Sequence, residues 1–160
     1  MREVFEVPEL VKVAVEDERS GVGFYSALAK AAKTAEFKKL WADLADQEKY
    51  HLERFQKMLD EMGEHAPKEQ YAGEYMSYLR TLTETRAFPD EQTAVKMAGQ
   101  CASDNEALDL ASRFERDTLV LLNEMRTMVG PKDKDAVDEI TREEQAHLVT
   151  LAEARRELKG

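Results

Sequence analysis

The sequence predicts an all-α fold, a bundle of four long helices with one long crossover connection. The 160-residue chain is 42% hydrophobic and 35% charged, and only seven Gly and four Pro interrupt it, which favours long helices over strands. Four segments also repeat apolar residues at helical spacing. The length fits one domain, which we expect to cover residues 1–160.

The first two predicted helices form a hairpin. The first covers about residues 8–33, because Pro8 suits a first helical position, where its missing N–H has no partner. The second covers about residues 35–62, with Thr34 as its N-cap and Gly63 as its stop.

The last two predicted helices form a second hairpin. One begins near Asp90 and continues toward Met128, where Gly130 and the proline after it end it, and the other covers about residues 132–158. The stretch from residue 64 to 88, with a short helix at about residues 74–85, is too long for a tight turn. It suits a crossover along the outside of the bundle.

Charge and cysteine content exclude several classes of function. A formal net charge of -10 argues against nucleic acid or an anionic membrane as a partner. No segment approaches the roughly 18 apolar residues of a membrane span, and residues 1–18 lack the apolar run of a signal peptide. Cys101 is the only cysteine, so no intramolecular disulfide or Cys-x-x-Cys site can form, and we expect a cytoplasmic protein.

Each long helix places one glutamate on its apolar stripe, and two of these are followed three residues later by histidine. An isolated buried carboxylate is very costly, whereas four carboxylates balance two divalent cations. A spacing of three puts both side chains on one helix face. One Glu-x-x-His pair is weak evidence, but two of the three histidines fit the pattern, and we expect His65, in the connection, to be exposed. The predicted ligands of two metal ions are Glu18, Glu48, His51, Glu106, Glu144 and His147.

An internal repeat supports two equivalent hairpins, because residues 14–18 resemble residues 102–106 and residues 46–51 resemble residues 142–147. In the first hairpin, Glu18 lies 16 residues before Thr34 and Glu48 lies 14 after it. The two glutamates therefore lie at about the same height along the antiparallel helices. In the second, Glu106 lies 24 residues before Gly130, whereas its partner Glu144 lies only 14 after it. The ten-residue mismatch is about 15 Å of helix. Either the third helix breaks before its end, or the two ligands come from different subunits.

These motifs resemble the ferritin-like di-iron domain of rubrerythrins over about residues 8–158. The most specific ones are Glu18 with Tyr25 seven residues later, and the runs 45–51, 104–106 and 143–147. The resemblance implies that Glu48 and Glu144 bridge two irons and that Tyr25 donates a hydrogen bond to a ligand carboxylate. It also implies that the chemistry depends on these residues together with the carboxylates of Glu18 and Glu106.

Three departures from the family stand out. Rubrerythrins often carry a further Glu three residues after the third-helix ligand, and iron moves between it and a histidine; here that position is Asp109, whose role as a ligand is doubtful. The tyrosine that often matches Tyr25 in the third helix is missing, and the nearest aromatic residue is Phe114. No C-terminal rubredoxin domain follows, so we expect electrons from another protein, such as a rubredoxin.

The resemblance favours an oxidoreductase that reduces hydrogen peroxide at a di-iron centre. A ferroxidase, a site that reacts with dioxygen, and a non-catalytic metal-binding bundle stay open, as do manganese and zinc in place of iron. The long connection leads us to expect a homodimer.

Overall fold

The computed structural model describes residues 6–63 and 73–159, and the predicted all-α bundle with one long crossover is confirmed. These residues form six helices and no strand. No helix in this part of the chain is both long and apolar enough to cross a membrane. The helices are α1 (Val7–Ala31), α2 (Ala35–Met62), α3 (Glu74–Glu84), α4 (Glu91–Gln100), α5 (Asp104–Met128) and α6 (Pro131–Lys159).

The first hairpin forms as the sequence predicts, because its local signals are strong. The Glu6 backbone N–H donates to Oε2 of Glu9 at 3.0 Å in the first turn of α1. At the start of α2, the Thr34 hydroxyl accepts from the backbone N–H of Phe37 at 3.2 Å. Gly63, with φ of 27°, lies directly after α2, where a positive φ favours glycine.

The predicted third helix is not continuous: a single helix from Asp90 to Met128 is wrong, whereas the break before Met128 that the sequence left open is present. It divides into α4 and α5 around residues 101–103. Ser103 caps α5, since its hydroxyl accepts from the backbone N–H of Glu106 at 3.2 Å, and Oε2 of Glu106 accepts from the backbone N–H of Ala102 at 2.7 Å. This reciprocal pattern closely resembles a capping box and fixes a helix start here.

The short helix predicted in the crossover is present as α3, which packs against α5. The rest of the crossover up to residue 72, including His65, lies outside the described residues.

The bundle core consists of two apolar clusters with a polar layer between them. Helix α1 packs against α2, α4 and α5, and α6 packs against α5 and α2. In each of the four long helices, one cluster takes residues from one end and the other cluster takes residues from the other end. The first cluster includes Leu10, Phe55, Leu122, Met125 and Ile140, and the second includes Phe24, Trp41, Leu108, Phe114 and Leu151.

Gly21 marks a close approach between α1 and α5 beside the polar layer. A Cβ at Gly21 would lie 2.8 Å from Cζ of Phe114 and 3.4 Å from Cγ of Glu48. Phe114 is 1% exposed, so its ring has little space into which to move.

We predict that Gly21→Ala lowers the free energy of unfolding by about 1–3 kcal/mol through overpacking. Gly99→Ala is the matched control, because a Cβ there meets no atom within 4 Å and alanine favours a helix. Urea unfolding followed by circular dichroism measures both. Equal stabilities of the two variants would show that α1 and α5 are not this close.

Candidate metal centre

The polar layer between the two apolar clusters consists of carboxylates and imidazoles from all four long helices. Each side chain lies on the face of its helix that points to the bundle axis, one or two turns from apolar residues of either cluster. All are at most 2% exposed. The members are Glu18 of α1, Glu48 and His51 of α2, Glu115 of α5, and Glu144 and His147 of α6.

Glu48 and Glu144 occupy the middle of the layer, and each presents one oxygen to either histidine. Nδ1 of His51 lies 2.9 Å from Oε1 of Glu144 and 3.5 Å from Oε2 of Glu48. Nδ1 of His147 lies 2.8 Å from Oε2 of Glu144 and 3.3 Å from Oε1 of Glu48. A carboxylate that bridges two cations needs this arrangement, with one oxygen on each side.

The other two carboxylates each lie beside only one of the two histidines. Oε2 of Glu18 lies 3.7 Å from Nδ1 of His51, and Oε1 of Glu115 lies 3.3 Å from Nδ1 of His147. The layer therefore contains two sets of four ligand atoms, and within each set the atoms lie within 4.8 Å of one another. The first set is Glu18, Glu48, His51 and Glu144, and the second is Glu48, Glu115, Glu144 and His147.

The structure corrects one predicted ligand: Glu106 is exposed and lies in the first turn of α5, and Glu115 takes its place in the layer. Glu106 lies nine residues before Glu115 on the same helix, about 13 Å along its axis, and therefore lies outside the layer. The other five predicted ligands are brought together. Two signals pointed to Glu115: it lies 15 residues before Gly130, nearly level with Glu144, and Ser103-x-x-Glu106 matches a capping box. Glu115 and Glu144 of the second hairpin thus both reach the layer within one chain.

Asp109 also lies outside the layer, where it is exposed and forms an ion pair with Arg155. Asp109, whose role as a ligand the sequence left doubtful, therefore belongs to neither ligand set. Counted from Glu115, the position three residues later is Thr118, whose hydroxyl donates to Oδ2 of the buried Asp17 at 2.7 Å. That position thus offers a hydroxyl already engaged with α1 rather than a carboxylate.

Tyr25 contacts the layer directly. Its hydroxyl donates to Oε1 of Glu115 at 2.6 Å, and its ring stacks on Trp41 with centroids 5.8 Å apart. Phe114 lies edge-on to the same ring and offers no hydrogen bond. Tyr25 therefore orients one carboxylate of the layer, and that this carboxylate is a metal ligand stays a prediction.

The layer carries strongly shifted pKa values because burial and mutual repulsion disfavour its charges. Burial, together with the nearby Glu144, raises the pKa of Glu115 to about 8. Burial and the carboxylates of Glu48 and Glu144 also raise the pKa of Glu18. Burial acts to lower the pKa of His51, but hydrogen bonds to Glu144 and Glu48 outweigh it and raise that pKa to about 10.

The unpaired oxygens in the layer test whether cations fit there. No hydrogen-bond donor within the described residues satisfies Oε2 of Glu18, both oxygens of Glu48, Oε2 of Glu115 or Oε2 of Glu144. Buried carboxylate oxygens without partners are costly. Since these atoms converge between the two Nδ1 atoms, two divalent cations would supply the missing partners and balance the four negative charges. The residues therefore fit a two-metal site.

Comparisons with known proteins agree with this geometry. Residues 9–155 match the family model of rubrerythrin. A solved structure of a candidate ferritin-like diiron-carboxylate protein from Thermotoga maritima is 28% identical, with a TM-score of 0.76, over 98% of this chain and 99% of that one. No curated protein matches the chain.

We predict that Glu115→Ala leaves only one tight site for Co²⁺, because one ligand set then keeps only three groups, two of them shared. Glu106→Ala is the control and should bind two Co²⁺, since its carboxylate only caps α5. Anaerobic calorimetric titration of metal-free protein gives both stoichiometries. Loss of one Co²⁺ site in Glu106→Ala but not in Glu115→Ala would show that Glu106, as first predicted, is the ligand.

We predict that the metal-free protein loses stability as pH rises from about 5.5 to about 8.5. Asp17, which burial raises to a pKa of about 7, and Glu115, at about 8, stabilise the fold only while they hold protons. The stabilising contribution of His51 likewise fades as pH rises toward its pKa of about 10. Burial acts to raise the pKa of Glu144, but hydrogen bonds to Glu115, His147 and His51 outweigh it and lower that pKa, so the contribution of Glu144 is already present at pH 5.5.

Melting temperatures across this pH range, with and without Co²⁺, test the prediction. The benefit from Co²⁺ should grow with pH, because the cations need deprotonated ligands. Metal-free Glu115→Gln, which cannot lose this proton, should show a shallower decline. A melting temperature of the metal-free protein that rises with pH would contradict the raised pKa values of Asp17 and Glu115.

Proposed function

This chain belongs to the rubrerythrin family, and from that premise we propose that it is a di-iron oxidoreductase that reduces hydrogen peroxide to water. The observation that supports this most is the pair of adjacent ligand sets that share Glu48 and Glu144. Two ferrous ions held in this way supply two electrons together, and one H₂O₂ takes two electrons and two protons to give two H₂O. A separate donor protein, such as a rubredoxin, then returns the electrons.

The donor set suits iron or manganese, because it combines hard carboxylate oxygens with one imidazole for each ion. Zinc would fit the charge but has no redox chemistry. We therefore propose iron as the working metal. Glu48 and Glu144, which belong to both ligand sets, would hold the two ions as a pair, so that both could act on one substrate molecule, as in other two-metal sites.

The chain's own groups control access and orientation. Every side chain of the two ligand sets is almost completely buried, which favours small substrates such as peroxide or dioxygen over larger ones. The Tyr25 hydroxyl fixes Glu115 on one side. At the position where relatives often carry a further glutamate, Thr118 offers no carboxylate, so we propose that His51 stays the ligand of its ion throughout.

Homodimer formation and a cytoplasmic location stay predictions from the sequence. The same holds for the identity of the electron donor.

We predict that the di-ferrous protein oxidises much faster with hydrogen peroxide than with dioxygen, and that Glu48→Ala nearly abolishes the reaction. Loss of a shared ligand separates two one-electron centres that must act together. Stopped-flow absorbance after mixing reduced protein with each oxidant measures both rates. Asp109→Ala is the control and should react at the wild-type rate, since Asp109 pairs with Arg155 outside the layer.

The other outcomes assign the alternative functions. Faster oxidation by dioxygen, with continued turnover of added Fe²⁺, would identify a ferroxidase. Failure of protein that holds two irons to react with either oxidant would identify a non-catalytic metal-binding bundle.

A further inference from the structure

The outer nitrogens of the two layer histidines have different partners. Nε2 of His51 lies 2.6 Å from Oε2 of Glu143, on α6. Nε2 of His147 lies 2.6 Å from Oε1 of Gln47, on α2. Both acceptors directly precede a central carboxylate, and each crosses to the histidine of the opposite hairpin. The two partners thus occupy equivalent positions in the two hairpins, but one is a carboxylate and the other is an amide.

Both partners fix the same ring orientation. A carboxylate or amide oxygen can only accept, so Nε2 of each ring donates, and Nδ1 is the atom that faces the layer. A histidine that ligates a metal commonly donates its other N–H to such an acceptor, and this sets its tautomer and basicity. The two histidines are therefore equally well oriented toward the ions.

The partners differ in how strongly they polarise the imidazole. A carboxylate is a stronger acceptor than an amide oxygen, and a hydrogen bond to it is roughly twice as strong. The Glu143 side chain is 34% exposed, so solvent weakens this effect but does not abolish it. His51 should therefore donate more electron density to its cation than His147 does.

On the basis of the proposed two-metal centre, we propose that Glu143 and Gln47 are positioning residues that make the two metal positions unequal. The position of Glu18 and His51 binds a divalent cation more tightly and fills first. The position of Glu115 and His147 fills second. The two hairpins repeat each other in sequence, but this carboxylate-to-amide difference gives each ion its own affinity.

Separate measurement of each position tests the proposal. Glu115→Ala leaves the His51 position as the tight site, and Glu18→Ala leaves the His147 position. Titration of the metal-free variants with Co²⁺, followed by calorimetry and by the visible Co²⁺ absorption bands, gives one affinity for each. We expect the His51 position to bind at least about tenfold more tightly.

Substitutions that exchange the carboxylate and the amide at residues 143 and 47 supply the matched controls. Glu143→Gln should weaken the His51 position about 10–100-fold and leave the His147 position unchanged. Gln47→Glu should strengthen the His147 position alone. A carboxamide at residue 143 preserves the acceptor, so the melting temperature of the metal-free protein should change little, which separates this effect from loss of folding.

Three outcomes would overturn the inference: equal affinities of the two positions, an equal effect of Glu143→Gln on both, or no effect on either. If they occur in protein that still binds two Co²⁺, the proposed function stands and only the inequality fails. If the wild-type protein binds no Co²⁺ at all, both proposals fail.

Discussion

The burial of four carboxylates in the middle of the bundle is the constraint on which the rest of the structure depends. Their oxygens converge where the described residues offer almost no hydrogen-bond donors other than two histidines and one tyrosine. Removing ionised carboxylates from water is very costly, and neighbouring carboxylates repel one another. The layer must therefore hold protons, as the raised pKa values of Glu18 and Glu115 indicate, or hold cations.

The two apolar clusters make this arrangement rigid. They pack the four long helices on both sides of the layer, so a carboxylate cannot reach water by a small helix movement. Within each helix the backbone fixes the spacing of three between glutamate and histidine. The apolar packing thus holds these side chains in place without a cation. Its stabilising free energy offsets the repulsion between the carboxylates.

Most of the site was predictable because its ligands interrupt regular apolar stripes. Glu48 with His51 and Glu144 with His147 lie in the apolar stripes of two long helices, where spacing alone determines the face. The prediction failed in α5. The likeness of residues 102–106 to residues 14–18 favoured Glu106, whereas the cap at Ser103 and the spacing to Gly130 favoured Glu115. The cap at Ser103 begins a new helix, and the stripe of α5 passes through Glu115 and Thr118 rather than Glu106. Tertiary pairings such as Glu143 with His51 follow from helix packing, which sequence spacing does not provide.

The hydrogen bonds around the layer show why neither hairpin can form the site alone. Each of the outer bonds joins a residue of the first hairpin to one of the second. They are Tyr25 to Glu115, Thr118 to Asp17, His51 to Glu143 and His147 to Gln47. The two central carboxylates likewise come from different hairpins, and each ligand set needs both. Cation binding is therefore linked to the docking of the hairpins, since separated hairpins offer each ion only part of its ligands. In the proposed asymmetry, a hydrogen-bond partner on one hairpin tunes the histidine of the other, so the affinity of each metal position depends on how both hairpins pack.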